Sequence, residues 1–157
     1  MAPRPLLLMD VDGVLNPFPD TPEGFDEFDF FPGEEEPVRL TRVHAEWLGE
    51  LGEVYEMAWA TGWGDHANRV LAAHFGLPEY PVVVVPSVRF EPADKVPAVA
   101  AFAGDRPAAW VDDIVTPEAR EWAATRAAPT LLVDVDSAVG LTRAAVDELL
   151  AWGRDVG

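Results

Sequence analysis

The chain has 157 residues, 49% of them hydrophobic, and no cysteine. That suits one domain with a proper core, and it excludes disulfides and thiolate metal sites. Eleven Lys and Arg stand against 28 Asp and Glu, a formal charge of −17, which argues against general affinity for nucleic acid or anionic membranes.

The apolar run Leu6-Leu7-Leu8-Met9 predicts a buried strand near the start of the chain. It runs into Asp10-Val11-Asp12-Gly13, where burying two carboxylates is costly, so they belong at the strand's mouth, facing solvent or a cation. Gly13 lets the chain turn sharply there. From about 17 to 40 the chain is acidic and aromatic, with Phe25, Phe28, Phe30 and Phe31 among Asp26, Glu27 and Asp29. Pro32, Gly33 and Pro37 break it up, so a flap or extended hairpin is expected rather than a helix. The Glu34-Glu35-Glu36 run reads as a solvated loop.

Thr41 starts a helix with Val43, Trp47, Leu48 and Leu51 near helical spacing, and Gly52 is expected to stop it. Val54 to Ala60 reads as a strand ending at Thr61-Gly62-Trp63-Gly64. A helix then begins at Asp65 or His66 and ends at Gly76. Pro81 to Pro86 holds four consecutive valines, a buried-strand signal. Pro92-Ala93-Asp94-Lys95 opens a helix through Phe102. Ala108 to Val111 is a strand ending in Asp112-Asp113, and Thr116-Pro117-Glu118 caps the next helix. Thr130 to Val133 is the last strand and Thr142 to Trp152 the last helix. Strands alternating with helices predict an α/β domain with a mainly parallel sheet. Residues 1–157 read as a single domain.

Asp10/Asp12, Thr61-Gly62, Lys95 and Asp112/Asp113 all follow predicted strands or open helices. In a parallel sheet, ligands bind at the carboxyl ends of strands, so these clusters are expected to meet. Their chemistry fits phosphoryl transfer. Mg²⁺ prefers one or two carboxylates plus waters and phosphate oxygens, and Asp10 with one of Asp112 and Asp113 would supply the carboxylates. A carboxylate can attack phosphorus to form an aspartyl-phosphate. A second acid must protonate the leaving oxygen and later activate water, and Asp12 projects from the same turn. Thr61 offers a hydroxyl, the Gly62 and Trp63 amides would hold phosphate oxygens at a helix start, and Lys95 would balance Asp10 and phosphate.

DVDGVLN, then ATGW, Lys95 and VDD resemble, in order, the four motifs of the haloacid dehalogenase (HAD) superfamily. The resemblance implies a Rossmann-like three-layer α/β sandwich and a Mg²⁺ cofactor. It makes Asp10 the nucleophile and Asp12 the acid/base. Thr61 would bind phosphate and Lys95 steady it. Asp112 and Asp113 would serve the metal, joined by the Asp12 backbone carbonyl. The stretch Trp59 to Asn68 and the ending Gly140 to Trp152 resemble a narrower group, the capless domains related to those of Swiss Army Knife RNA repair proteins. The net charge departs from what an RNA-binding member should show. The gaps Gly13 to Thr41 and Leu77 to Asp94 have no room for a cap domain, so the site is expected to be open, with at most a flap.

The expected function is a Mg²⁺-dependent phosphomonoesterase acting on a small phosphorylated molecule or on a macromolecule that reaches an open site. The alternatives are a nucleic-acid end-healing phosphatase and a non-catalytic phosphate-binding module. No apolar run approaches the ~18 residues of a membrane helix, and the apolar region after Pro5 is short for a signal peptide. A soluble, cytoplasmic protein is expected. Asp134-Val135-Asp136 lacks a following glycine and reads as a turn. His44 and His74 read as surface or half-buried packing. His66 and Asn68 are candidates to face the pocket, Trp63 to wall it, and Arg89 and Arg106 to meet an anion.

Overall fold

The computed structural model describes residues 3–85 and 91–157. Four parallel strands form one sheet in the order β4-β1-β5-β6: β1 is Leu6–Met9, β4 Glu56–Trp59, β5 Ala108–Asp112 and β6 Thr130–Asp134. Period-2 alternation sends Leu7 and Met9 to one face of β1 and Leu6 and Leu8 to the other, and the two sets join separate apolar clusters. α1 (Arg42–Val54) and α5 (Arg143–Val156) cover the first cluster, and α3 (Lys95–Ala103) and α4 (Pro117–Thr125) the second. The result is a three-layer α/β sandwich. All four β1 side chains are buried. Burying a large apolar side chain contributes roughly 1.5–3 kcal/mol, which fixes β1 in the middle of the sheet and holds Asp10 at its end.

The expected flap is a two-stranded antiparallel hairpin, β2 (Asp26–Phe28) with β3 (Val38–Leu40). It rests on the apolar core through Phe28, Phe30 and Phe31, and no cap domain is present among the described residues.

Two local expectations are corrected. α1 runs through Gly52 to Val54, and its inward residues are His44, Leu48 and Leu51, while Val43 is exposed. A helical glycine costs only about 1 kcal/mol, too little to end a helix whose Leu51 and following Tyr55 are both buried. The valine run forms no strand among its described residues. Only Val82 bridges to Trp59, on the open edge of β4, with Val83 buried and Val84 86% exposed; an edge position has a pairing neighbour on one side alone. Pro86, at the end of that predicted strand, and Arg89 lie outside the described residues. The helix after Thr61 begins at His66 and ends at Gly76, as expected; it runs through a π-helical stretch, Ala67–Ala72, into α2 (Ala73–Phe75) and closes on Gly76 with a positive φ of 69°.

No helix among the described residues is long and apolar enough to cross a membrane.

Candidate active site

The strand order places the site. From β1 the chain moves to β4 on one side, and from β5 to β6 on the other. The connections leave adjacent strands in opposite directions, and a crevice opens at their carboxyl ends. Met9 pairs with Val111 and with Trp59 in register. The next residues outward, Asp10, Asp112 and Ala60, therefore stand side by side, with Thr61 one step further. Asp10 N donates to Val111 O at 3.1 Å and Ala60 N to Met9 O at 2.9 Å, which continues both ladders to the mouth.

Lys95 opens α3, just after a 3₁₀ turn at Pro92–Asp94 whose Glu91 and Asp94 cap one another. Its Nζ lies 3.1 Å from Asp10 Oδ1 and 2.9 Å from Asp112 Oδ2, and it donates to Ala60 O at 3.1 Å. An ammonium has three N–H donors, and all three find protein acceptors. Burial disfavours the ammonium, but Asp10 and Asp112 outweigh it and raise the Lys95 pKa above that of an ordinary lysine. Lys95 in this arrangement spans three strand ends and neutralises charge; contact with phosphate requires it to exchange one partner.

Carboxylate oxygens of Asp10, Asp112 and Asp113 lie within 4.8 Å of one another. Burial raises the Asp10 pKa well above the usual carboxylate range; Lys95 opposes this, and Asp112 and Asp113 add to it. Asp113 is pushed up to about 6, by burial first and then by its hydrogen bond with Asp112. One ammonium among three carboxylates leaves negative charge uncompensated, which is costly out of water. The donor set is all oxygen, with neither imidazole nor thiolate, and it fits a hard divalent cation such as Mg²⁺.

Gly13 shows how closely the two loops meet. Its φ is 82°, and a Cβ there would sit 2.3 Å from Asp113 Oδ2. Asp12, one residue earlier, is exposed and accepts hydrogen bonds from Trp63 Nε1 at 3.1 Å and Asn16 Nδ2 at 3.0 Å. Thr61 is buried, and its Oγ1 accepts from Trp63 N at 3.2 Å. The Trp63 amide is thus engaged, and residues 61–64 form a turn ahead of the helix.

Asp10, Asp12, Thr61, Gly62, Lys95, Asp112 and Asp113 all line one open cleft of about 690 Å³. Phe18, Glu34, Trp63, Pro92 and Ile114 complete its wall. Of these, the sequence points only to Trp63 as a wall residue. Glu34 belongs to an acidic run that reads as solvated, and Phe18 and Ile114 carry no motif; only the fold brings them to the rim. Other candidates stand elsewhere. His66 is exposed and packs at the edge of Phe31. Asn68 is buried and bonded to Trp59, Tyr80 and Asp65. Arg106 pairs with Glu56, at the opposite end of the strands. His44 is fully buried, not at the surface, with Nε2 3.1 Å from Leu141 O. Asp136 closes a turn, its Oδ1 accepting from Ala138 N.

Over residues 6–146 the chain matches the family model described as the HAD domain in Swiss Army Knife RNA repair proteins. The chain belongs to that family. A comparison with curated proteins finds no match. The HAD domain's matched region runs from the first residue of β1 into the first turn of α5, so it contains every residue lining the cleft.

Proposed function

We propose that this HAD domain is a Mg²⁺-dependent phosphomonoesterase that works through an aspartyl-phosphate on Asp10. One observation carries the reading: Asp10 and Asp112 flank the Lys95 ammonium, and Asp113 brings a third carboxylate within 4.8 Å of both in the same cleft. Asp10, Asp112 and Asp113 would hold the Mg²⁺. When bound, the cation shields the phosphate's charge and so admits an anionic nucleophile. Asp10 is the nucleophile, its carboxylate held at the end of β1 with Lys95 on Oδ1. Asp12 is the acid that protonates the leaving oxygen and the base that later takes a proton from water. Thr61 and Gly62 line the side of the cleft next to Asp10 and would hold phosphate oxygens, and Lys95 balances the added charge.

The assay is hydrolysis of p-nitrophenyl phosphate with Mg²⁺ and after chelation. Activity should require the cation, and Asp10→Asn should lower kcat by at least about 1,000-fold, as removal of a covalent nucleophile does. Hydrolysis indifferent to both chelation and Asp10→Asn would sink the reading.

A second reading is an RNA or DNA end phosphatase. The family description favours it. The charge of −17 opposes it, and Lys95 is the sole cationic side chain lining the cleft among the described residues. Release of phosphate from end-phosphorylated oligonucleotides, faster than from small esters, would favour this second reading over the first.

A further inference from the structure

Asp12 stands in the cleft with one of its oxygens doubly engaged. Oδ1 accepts from both Trp63 Nε1 and Asn16 Nδ2, and no hydrogen bond among the described residues reaches Oδ2. The two donors arrive on separate supports. Trp63 belongs to the turn after β4, and its ring meets Phe31 edge-on, 5.1 Å between centroids at 80°. Asn16 is tied to the hairpin, its Oδ1 accepting from Arg39 N at 2.7 Å. Arg39 is buried in turn, with its guanidinium on Pro17 O, Thr21 Oγ1 and Glu36. An exposed aspartate would otherwise sample several rotamers. Here it is clamped from two directions, and a proton donor works only when held within reach of its target.

We propose that Trp63 and Asn16 are positioning residues that hold Asp12 for proton transfer through Oδ2. The proposal rests on the phosphohydrolase reading above and deepens it. As an Asp10 oxygen bonds to phosphorus, the bond from phosphorus to the leaving oxygen breaks. Its electron pair stays on that oxygen, which takes the proton from Asp12 Oδ2. Water then attacks phosphorus and gives a proton back to Oδ2. The Asp10–phosphorus bond breaks, and its electron pair restores the Asp10 carboxylate.

The test uses two esters of equal ring size, p-nitrophenyl phosphate and phenyl phosphate. Nitrophenolate departs readily without a proton, whereas phenolate needs one far more. Trp63→Phe removes the indole N–H and leaves a smaller aromatic ring in its place. Asn16→Asp keeps the acceptor for Arg39 N, removes the donor and sets a second carboxylate against Asp12 Oδ1, which drives Asp12 from its clamped position. Each variant should lose at least about fivefold more kcat/KM on phenyl phosphate than on p-nitrophenyl phosphate, a fraction of the 10²–10⁴ that general acid catalysis supplies. Circular dichroism melts confirm that each variant is folded. Equal losses on both esters, or none on either, overturn the proposal, because a mere wall contact acts on both rings alike. If the wild-type hydrolysis of both esters survives Asp10→Asn, the phosphohydrolase reading itself fails and takes the proposal with it.

Discussion

Gly13 is the residue where sequence and site geometry meet most tightly. In the sequence it marks a sharp turn after Asp-x-Asp. The structure adds a second demand, since the Asp113 carboxylate, 100 residues further along, occupies the space a side chain would need. Gly13→Ala therefore meets two obstacles, a positive φ and a collision with Asp113. The backbone strain alone costs about 1–3 kcal/mol. Urea denaturation should show at least that loss, and Mg²⁺ titration should show weakened binding as Asp113 is displaced. An alanine variant with unchanged stability and unchanged Mg²⁺ affinity would contradict the close approach. Single residues were readable from the chain where their type is unusual for their place, as a carboxylate at the end of an apolar strand is. They were unreadable where only folding sets their surroundings. His44 sits at a helical position that a sequence reader gives to packing or surface; its burial follows from Leu141, 97 residues away, which offers its carbonyl. Glu34 looks like part of a solvated acidic run, and the hairpin's fold alone brings it to the rim of the cleft.

At the scale of elements, β1 and β5 read correctly because burial on both faces leaves them little choice. β6, half-buried at the far edge, also falls where its apolar pattern puts it, paired along its whole length with β5. The valine run at 82–85 misleads for the same reason in reverse. Its composition suits a strand, but it lies beyond β4 at the sheet's edge, and Trp59 alone pairs with it. What secures that edge is Asn68, a residue whose polarity suggested the pocket. From the π-helical stretch its Oδ1 accepts from Trp59 Nε1 and Tyr80 N, both at 2.9 Å, and its Nδ2 donates to Tyr80 O at 2.9 Å. Asn68→Ala would leave three buried polar groups without partners, each costing about 1–3 kcal/mol. After relaxation the folded state should lose about 3 kcal/mol or more, read from urea unfolding followed by Trp fluorescence. Because Asn68 does not line the cleft, activity per folded molecule at low temperature should stay within about twofold of wild type, the small effect usual for a site without shared partners. A loss below about 1 kcal/mol would mean that the side chain does not tie the edge together.

Across the whole molecule, a charge of −17 works against compactness, and the cleft concentrates the problem by burying Asp10 and Asp112 beside Asp113. Burial holds the folded-state pKa of Asp10 well above its ordinary value, and that of Asp113 at about 6. An unfolded carboxyl titrates near 4. The folded state therefore binds more protons than the unfolded state between those values, and these two groups add stability as pH falls from above 6 toward 4. His44 has the opposite sign. Burial lowers its pKa to about 4, so its contribution is complete above the unfolded value near 6.5 and is lost as pH falls toward 4. The effects oppose each other in metal-free protein, but one histidine does not cancel two carboxyls, so stability is expected to rise as pH falls from about 6.5 to 5. Mg²⁺ shifts that balance, because it needs the ionised carboxylates that protons would otherwise occupy. At concentrations ~100-fold above its Kd it should stabilise by about 2.7 kcal/mol, or several degrees of Tm for a domain of this size. That increment should be largest near pH 7.5 and should shrink toward pH 5. NaCl at matched ionic strength separates site binding from screening of the overall charge. Thermal melts at both pH values, with Mg²⁺ or matched NaCl, decide the matter. Equal shifts from the two salts, or a Mg²⁺ increment that ignores pH, would mean that the three aspartates do not bind the cation.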